Sequence, residues 1–349
     1  MWLHNASDGE ERWDGVEFTP YTLLTDIGWI SILLIIGNVL RNRLQILQKL
    51  LLPAPITAGL LGLVLGQEVL GVIRWSDHVS TYTSLLIAVV FASMAYSMQL
   101  GGSVASGARN MWGYSTAMFM GQWGLFILLG IYLFAPLFGT EVWFGMMLPV
   151  GFVGGFGTAA AVGSALEEIG VAEASSLGFT SATVGTIVAI VGGVIMANWG
   201  IRTGKASQLR GELPKELRTG YIDNEAERPS IGRATTNPSA IEPLALHVGF
   251  IAFTVLIGYT VNQLIKSQWP NVSIPLFAMS FVIGLIGRAL LRALKRPNYL
   301  DRDTVTSLSG AATDYMIAFG IASIIPAALA GYWQALVLLF VLGTVFCVG

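Results

Sequence analysis

Long apolar runs, each near the length of a membrane-crossing helix, dominate the pattern of hydrophobic and polar positions along the chain. An α-helix of about 20 apolar residues crosses the hydrocarbon core of a bilayer. The runs cover residues 19–40, 52–73, 84–101, 110–137, 143–165, 177–201, 244–265, 274–291, 304–329 and 332–349. This pattern predicts an all-α integral membrane protein that crosses the lipid bilayer many times.

One long polar stretch, 202–243, divides the runs into two groups. It mixes basic and acidic residues with Pro214, Pro229 and Pro238, a composition typical of a linker between packed units. We therefore expect a first unit at 1–201, a cytoplasmic linker at 202–243 and a second unit at 244–349.

The positions of Lys and Arg predict the orientation, because short cytoplasmic loops carry an excess of them. Arg41, Arg43 and Lys49 follow the first run, whereas the segment before it is acidic. We expect a multi-pass protein of the cell inner (plasma) membrane with its N-terminus outside. A complete crossing by 143–165 would put the basic linker outside, so we interpret 143–165 as a re-entrant hairpin that enters and leaves from one face.

The two units share a weak internal repeat. Residues 53–66 resemble 275–287, and 86–94 resemble 316–324. Five spans and a hairpin in the first unit would orient matching helices oppositely, as in inverted-repeat transporters; the alternative is chance similarity between apolar segments. The partner of 143–201 would lie beyond the last residue. We therefore expect the second repeat, with four spans, to be incomplete.

Composition narrows the class of protein further. Charged residues make up 11% of the chain, against about a quarter in soluble domains. No basic patch is interleaved with aromatic residues, so we expect no nucleic-acid partner. A single cysteine, Cys347, and three histidines far apart offer no metal or disulfide chemistry. No nucleophile–base pair is evident, so we do not expect an enzyme.

The stretch 151–164 is the most informative, because it is dense in glycine. Each glycine destabilises a helix by about 1 kcal/mol relative to alanine. At membrane depth, a broken helix persists where it is buried or faces a water-filled cavity. Freed N–H groups near Thr158 would suit a carboxylate, and freed carbonyl groups would suit Na⁺. The alternative interpretation is close helix packing through small residues.

Three segments carry a resemblance to the bacterial sodium/glutamate symporters, and the similarity covers nearly the whole chain. They are 53–61, the motif Gly154-Gly155-Phe156-Gly157-Thr158-Ala159-Ala160-Ala161, and 177–201 with its Gly192-Gly193 pair. The resemblance implies an inverted-repeat secondary transporter. In that family, two re-entrant hairpins enter from opposite faces and meet at the site for the substrate and Na⁺. It implies Na⁺ as the coupling ion and no other cofactor.

The resemblance also implies a substrate-binding set in the first hairpin: Gly154, Gly155, Phe156, Gly157, Thr158 and Ala159. Two of these depart from the family motif. Phe156 stands where the family has histidine, and Ala159 replaces the glycine that follows the threonine. Since phenylalanine cannot donate a hydrogen bond to a carboxylate, recognition of glutamate cannot rest on this side chain.

Candidate ligands for the coupling ion lie on two later helices. Thr183 and Thr186 recur at helical spacing with Thr180 and could offer hydroxyl oxygens, although such threonines often bond to their own backbone. Asp314 lies in an apolar run, where an ionised carboxylate is costly and usually functional. The alternative for Asp314 is a pair with a basic loop residue such as Arg302.

These observations predict a sodium-coupled symporter of a small anionic or zwitterionic solute, with a glutamate-like amino acid as the favoured small-molecule substrate. Two alternatives remain open. One is a proton-coupled carboxylate carrier in which Asp314 is the titrating group, and the other is a non-transporting membrane scaffold or receptor. We also expect the chain to assemble as a homo-oligomer.

Overall fold

The computed structural model describes residues 18–98, 106–172, 174–205, 215–270, 272, 274–296 and 298–348. The predicted acidic N-terminal segment, 1–17, and residues 206–214 of the predicted linker lie outside the described residues. The first helices are α1 Pro20–Arg43, α2 Gln45–Lys49, α3 Ala54–Leu65, α4 Val79–Ser97, α5 Ser106–Leu129, α6 Ala135–Phe138, α7 Met147–Phe152, α8 Gly155–Glu168 and α9 Ala174–Arg202. The later helices are α10 Lys215–Thr219, α11 Pro243–Gln268, α12 Leu276–Ala293, α13 Arg302–Ala322, α14 Pro326–Ala330 and α15 Trp333–Val348.

Several of these helices have the length and apolar composition of membrane spans. Among the described residues there are 6 of them: α1, α4, Arg109–Phe138, α9, α11 and α12. The span Arg109–Phe138 is continuous because a π-helical turn, Gly130–Phe134, joins α5 to α6. The prediction of an all-α, multi-pass membrane protein is confirmed.

Three apolar runs form shorter or interrupted helices. The run 52–73 is helical only to the end of α3, and a loop that starts at Gly66 follows. The run 304–329 breaks after α13, where Ile325 is extended immediately before a proline, a position that disfavours helix. The run 143–165 consists of a 3₁₀ turn, Val142–Met146, followed by α7 and α8. Hydropathy locates these segments, but not their breaks.

One end of the helix bundle carries most of the basic residues, and we call it the basic end. There the Arg302 Nε donates to the Ser97 carbonyl at 3.2 Å, which joins the start of α13 to the end of α4. The Asp301 N–H donates to His247 Nε2 at 2.7 Å, which joins α13 to the start of α11. The ends of α1, α9 and α12, with Arg41, Arg202 and Arg292, lie at this end as well.

At the opposite end, a different set of helix termini meets. Lys266 Nζ lies 3.1 Å from Glu168 Oε2, which joins the end of α11 to the end of α8. The Ile325 N–H donates to Ser176 Oγ at 2.8 Å, which joins the end of α13 to the start of α9. Helices α1, α4 and α12 therefore run toward the basic end, whereas α11, α13 and α3 run away from it. Each of the pairs α1/α11, α3/α12 and α4/α13 is antiparallel in direction.

The contacts among the central helices follow the same pairs. Helix α4 packs against both α12 and α13, while α1 packs on α3 and α11 packs on α12. A Cβ on Gly62 of α3 would lie 3.0 Å from Ala322 Cβ of α13, and one on Gly284 of α12 would lie 2.7 Å from Ala95 Cβ of α4. At both crossings, small residues thus let a helix that precedes the linker approach closely to one that follows it.

A second packed group contains α5 to α9 together with α15. Its core is aromatic: Phe126, Phe134 and Phe144 are fully buried. Gly145 allows the closest crossing, because a Cβ there would overlap the Phe126 carbonyl oxygen of α5. Helix α8 connects this group with α4 and α13 of the first, so the segment that bears the glycine-rich motif lies where the two groups meet.

A substitution at Gly59 tests the crossing of α3 and α13. A Cβ at Gly59 would lie 2.6 Å from Ile321 Cβ and 3.0 Å from the Ala318 carbonyl oxygen. We expect Gly59→Ala to destabilise the protein by about 1–3 kcal/mol through overpacking. The thermal unfolding midpoint of the detergent-solubilised protein should fall accordingly.

Gly249 of α11 is the matched control, because nothing lies within 4 Å of a Cβ at that position. Gly249→Ala should be neutral or stabilising by up to about 1 kcal/mol, from helix propensity alone. Equal unfolding midpoints for the two variants would contradict the close crossing.

Candidate transport site

The glycine-rich stretch forms a helical hairpin. Helix α7 ends at Phe152, α8 begins at Gly155, and the Gly154 N–H donates to the Pro149 carbonyl at 3.0 Å to close α7. Gly155 has φ of +67°, a conformation that glycine adopts without the steric cost of a Cβ. The glycines at this turn therefore permit the chain to reverse over two residues.

Both arms of the hairpin pack against α9 through glycine. A Cβ on Gly151 of α7 would lie 2.3 Å from the Ala182 backbone nitrogen. A Cβ on Gly163 of α8 would lie 2.5 Å from Ser175 Cα. The chain thus runs along α9 to the level of Ala182, turns, and returns to the level of Ser175.

The turn lies well inside the length of α9. Residues 181–185 of α9 face the end of α7, about 10–16 Å from the start of α9 at a rise of about 1.5 Å per residue. The end of α8 lies beside the start of α9, where Glu167 Oε1 accepts a hydrogen bond from the Ser175 N–H at 2.9 Å. The hairpin turn therefore lies beside the middle of α9 rather than at an end of the bundle.

Three of the predicted substrate-binding residues are used for packing. Phe156 is buried and stacks on Phe179 with ring centroids 6.5 Å apart. Its ring also lies against Gly320 of α13, where a Cβ would be 2.8 Å from the ring. Ala159 is fully buried against α9, and Gly157 is buried against α4. The side chains of Phe156 and Ala159, and the close approach that Gly157 permits, hold the hairpin in place.

The other three predicted residues, Gly154, Gly155 and Thr158, are half-buried at the turn. Gly154 precedes α8 and provides no side-chain hydrogen bond to cap it. The first N–H groups of a helix lack partners within it and carry partial positive charge. Within the described part of the chain, the Thr158 hydroxyl has no hydrogen-bond partner. This turn therefore presents donors suited to a carboxylate.

A cavity of about 290 Å³ lies beside the hairpin, between α8, α4, α11 and the start of α12. The residues that line it include Ile87, Ala161, Ser164, Asn262 and Lys266. Ile87 also closes it toward the motif, because a Cβ on Gly157 would lie 2.4 Å from Ile87 Cγ1. Ile87 thus contacts both the cavity and the motif, and none of the turn residues 153–155 lines the cavity.

The predicted ion ligands on α9 are bonded to their own helix. Thr183 Oγ1 donates to the Phe179 carbonyl at 2.7 Å, and Thr186 Oγ1 donates to the Ala182 carbonyl at 2.7 Å. Their oxygens retain lone pairs that could bind a cation. The role of Thr183 and Thr186 in binding an ion stays a prediction.

Asp314 is exposed on α13 and forms no hydrogen bond or ion pair with any described residue. Arg302, the partner considered for it, instead donates to the Ser97 carbonyl. On the same exposed face of α13 lie Ser307, Gly310 and Ala311. This face is small and polar, unlike the apolar outer face of α1, and its role in ion binding stays a prediction.

The sequence analysis missed a second carboxylate in an apolar run, Asp26 of α1. Asp26 is 1% exposed and accepts hydrogen bonds from Ser76 Oγ at 2.5 Å, the Ser76 N–H at 3.3 Å and the Tyr82 hydroxyl at 3.0 Å. It joins the start of α1 to the start of α4. Asp26 lies within the first apolar run, 19–40, and a carboxylate at such a position was the signal that could have identified it.

Six helices of membrane-spanning length and composition, among the described residues, define this protein as a multi-pass integral membrane protein. The family model of the sodium/glutamate symporter matches residues 21–348, and the chain belongs to that family. The family is one of transporters rather than enzymes. No curated protein and no solved structure matches the chain. Within the described residues, no group of three or more His, Cys, Asp or Glu side chains could hold a metal ion.

The contact between Gly157 and Ile87 can be tested with a double-mutant cycle. Gly157→Ala should lower the unfolding midpoint, because the new methyl group overlaps Ile87. Ile87→Ala alone should cost about 2–5 kcal/mol. The double variant should be more stable than the sum of the two effects predicts, by about 0.5–3 kcal/mol.

Gly193→Ala on α9 is the control for this cycle, since nothing lies within 4 Å of a Cβ there. Introduced into the wild type or into Ile87→Ala, it should leave the unfolding midpoint unchanged or raise it slightly. Strict additivity of Gly157→Ala and Ile87→Ala would show that the hairpin does not touch α4.

Proposed function

We propose that this protein is a sodium-coupled symporter that imports a small anionic or zwitterionic solute, with a glutamate-like amino acid as its substrate. The observation that carries the proposal is the start of α8, an uncapped helix terminus inside the bundle, in a chain of the sodium/glutamate symporter family. A helix start inside the membrane attracts a carboxylate.

Main-chain groups at the hairpin turn recognise the substrate in this proposal. The Gly155 N–H and the Thr158 hydroxyl donate to its carboxylate, while Gly154, whose own N–H is bonded to the Pro149 carbonyl, leaves the approach to them open. The burial of Phe156 supports this assignment, because its ring packs between α9 and α13 and leaves the main chain as the polar surface of the motif. Na⁺ is bound by carbonyl oxygens of the interrupted backbone together with Thr183 and Thr186.

The proposal places the basic end of the bundle in the cytoplasm and the N-terminus outside the cell inner membrane. The distribution of Lys and Arg supports this orientation: among the described residues, only Arg74 and Lys266 lie at the opposite end. The opposite directions of α1/α11, α3/α12 and α4/α13 support an inverted repeat of 1–201 and 244–349. The hairpin is then re-entrant from the outside.

Transport follows from movement between the two packed groups. The hairpin group, α5 to α9 with α15, meets the central helices mainly through α8. A shift of α8 relative to α4 would open the turn alternately to the two sides of the membrane. The homo-oligomeric state expected from the sequence stays a prediction.

Thiol labelling on intact cells tests the re-entrant hairpin. Val142 and Ile169 flank it and are 58% and 76% exposed, so Val142→Cys and Ile169→Cys should both react with a membrane-impermeant maleimide. The background is a Cys347→Ala variant, which has no other cysteine.

Leu294→Cys is the control from the basic end, because Leu294 is 63% exposed. It should react only after the membrane is made permeable. If Val142→Cys and Ile169→Cys reacted from opposite sides, the segment would be a complete crossing and the proposed site would be wrong.

Uptake of radiolabelled L-glutamate into proteoliposomes tests the coupling. An inward Na⁺ gradient should drive accumulation, since downhill Na⁺ entry supplies the free energy. Dissipation of the gradient with an ionophore should abolish accumulation. Gly154→Val, which places a side chain where the Thr158 Cβ lies 2.6 Å away, should abolish it as well.

Proton coupling is the second candidate function, and the small polar face around Asp314 favours it. A proton-coupled carrier would be identified by uptake that is driven by a pH gradient, is independent of Na⁺ and is lost in Asp314→Asn. Uptake that is indifferent to both gradients would reject coupled transport.

A further inference from the structure

The cavity beside α8 differs from the lipid-facing surfaces of the bundle, because about half of the residues that line it are polar. Hydroxyl and amide groups line it: Thr81, Ser84, Ser164, Asn262 and Gln263. It opens at the end of the bundle opposite the basic end, where Glu168 and Lys266 lie. A cavity with this lining accommodates a polar solute better than a lipid chain.

Most of these polar groups are already engaged, which leaves few free for a solute. Asn262 Nδ2 donates to the Ile274 carbonyl, and Gln263 Nε2 donates to the Tyr259 hydroxyl. Ser164 Oγ donates to the Ala160 carbonyl. Thr81 and Ser84 form no side-chain hydrogen bond with any described residue, so their hydroxyls are free.

The charged groups of the cavity form one ion pair at its mouth. Lys266 Nζ and Glu168 Oε2 are 3.1 Å apart, and their side chains are 51% and 57% exposed. An exposed pair of this kind contributes at most about 1 kcal/mol. It can therefore separate at little cost when another ion competes for its members.

These two groups are complementary to the charges of a free amino acid. The Lys266 ammonium can donate to the carboxylate of the ligand instead of to Glu168. The Glu168 carboxylate can then accept hydrogen bonds from the ammonium of the ligand. A solute with a single charge satisfies only one of the two groups and leaves the other unpaired. The pair thus favours a zwitterion over a simple carboxylate.

Ile87 lies where the cavity meets the glycine-rich motif. Ile87 lines the cavity and contacts Gly157 of the motif. None of residues 153–158 lines the cavity, so a solute held beside Lys266 and Glu168 does not contact the hairpin turn. The cavity precedes the turn on a path from this end of the bundle.

We propose that this cavity is a first recognition site for zwitterionic amino acids on the outer side, in which Lys266 binds the carboxylate and Glu168 binds the ammonium. The proposal rests on the proposed function, because it assumes that an amino acid is transported. It adds a site, separate from the hairpin turn, that selects the substrate before Ile87 moves.

Initial rates of Na⁺-driven L-glutamate uptake from the outer side test the proposal. Lys266→Gln and Glu168→Gln should each raise KM about tenfold, the loss expected for one hydrogen bond to a charged group. Vmax should stay unchanged, since neither residue belongs to the hairpin turn. Lys215→Gln is the matched control, because Lys215 forms an exposed ion pair with Asp223 at the basic end.

Competition with glutarate, which has the same carbon chain without the ammonium, separates the roles of the two residues. In the wild type, glutarate should compete less well than unlabelled glutamate. In Glu168→Gln this preference should shrink, and in Lys266→Gln it should persist. Vesicles of the opposite orientation, which present the basic end to the substrate, should give the same KM for all variants.

The outcomes distinguish the two proposals. A wild type that transports no amino acid would contradict the proposed function and this inference together. A wild type that transports glutamate while both variants keep its KM would overturn the first recognition site alone. A fall in Vmax at constant KM, or an equal rise in KM from both sides, would show that the ion pair only holds α8 to α11, and would overturn it too.

Discussion

Close contact between the hairpin and α9 is the constraint on which the rest of the structure depends. Backbone polar groups inside a bilayer must be satisfied or shielded from lipid, and an interrupted helix exposes such groups. Gly151 and Gly163 let the two arms approach α9 to within backbone contact. Any larger residue would push the arms away and admit lipid to the turn, so these glycines make the break tolerable.

Some residues of the motif are buried and pack the hairpin against other helices, whereas others remain at the turn. Phe156, Gly157 and Ala159 fix the position of the hairpin against α9, α4 and α13. Gly154 and Thr158 remain at the accessible turn. The departure from the family motif at Phe156 therefore exchanges a polar side chain for a packing contact. The proposed recognition by the main chain is compatible with this exchange, because N–H groups do not depend on the side chain.

The junction of the two packed groups contains both the hairpin and the cavity. Apolar contacts across it include Ile87 with Gly157 and Phe156 with Gly320. Interfaces of this kind can slide at modest cost, whereas Asp26 and its three hydrogen bonds fix α1 firmly to α4. The buried carboxylate contacts thus lie within the central group, whereas the polar contacts between the groups, Lys266 with Glu168 and Ile325 with Ser176, lie at the end opposite the basic end.

The sequence by itself determined the features that depend on neighbouring residues. Apolar runs located the spans, glycine density located an interrupted stretch at 151–164, and the motif identified the family. The exact break, with α8 beginning at Gly155 rather than near Thr158, came from the structure. The ends of α3 and α13, the partners of Asp26 and the Lys266–Glu168 pair were decided only by the tertiary structure. Lys266 and Glu168 are 98 residues apart in the chain. Hydropathy and helical periodicity are local properties, whereas contacts of this kind depend on how distant helices cross.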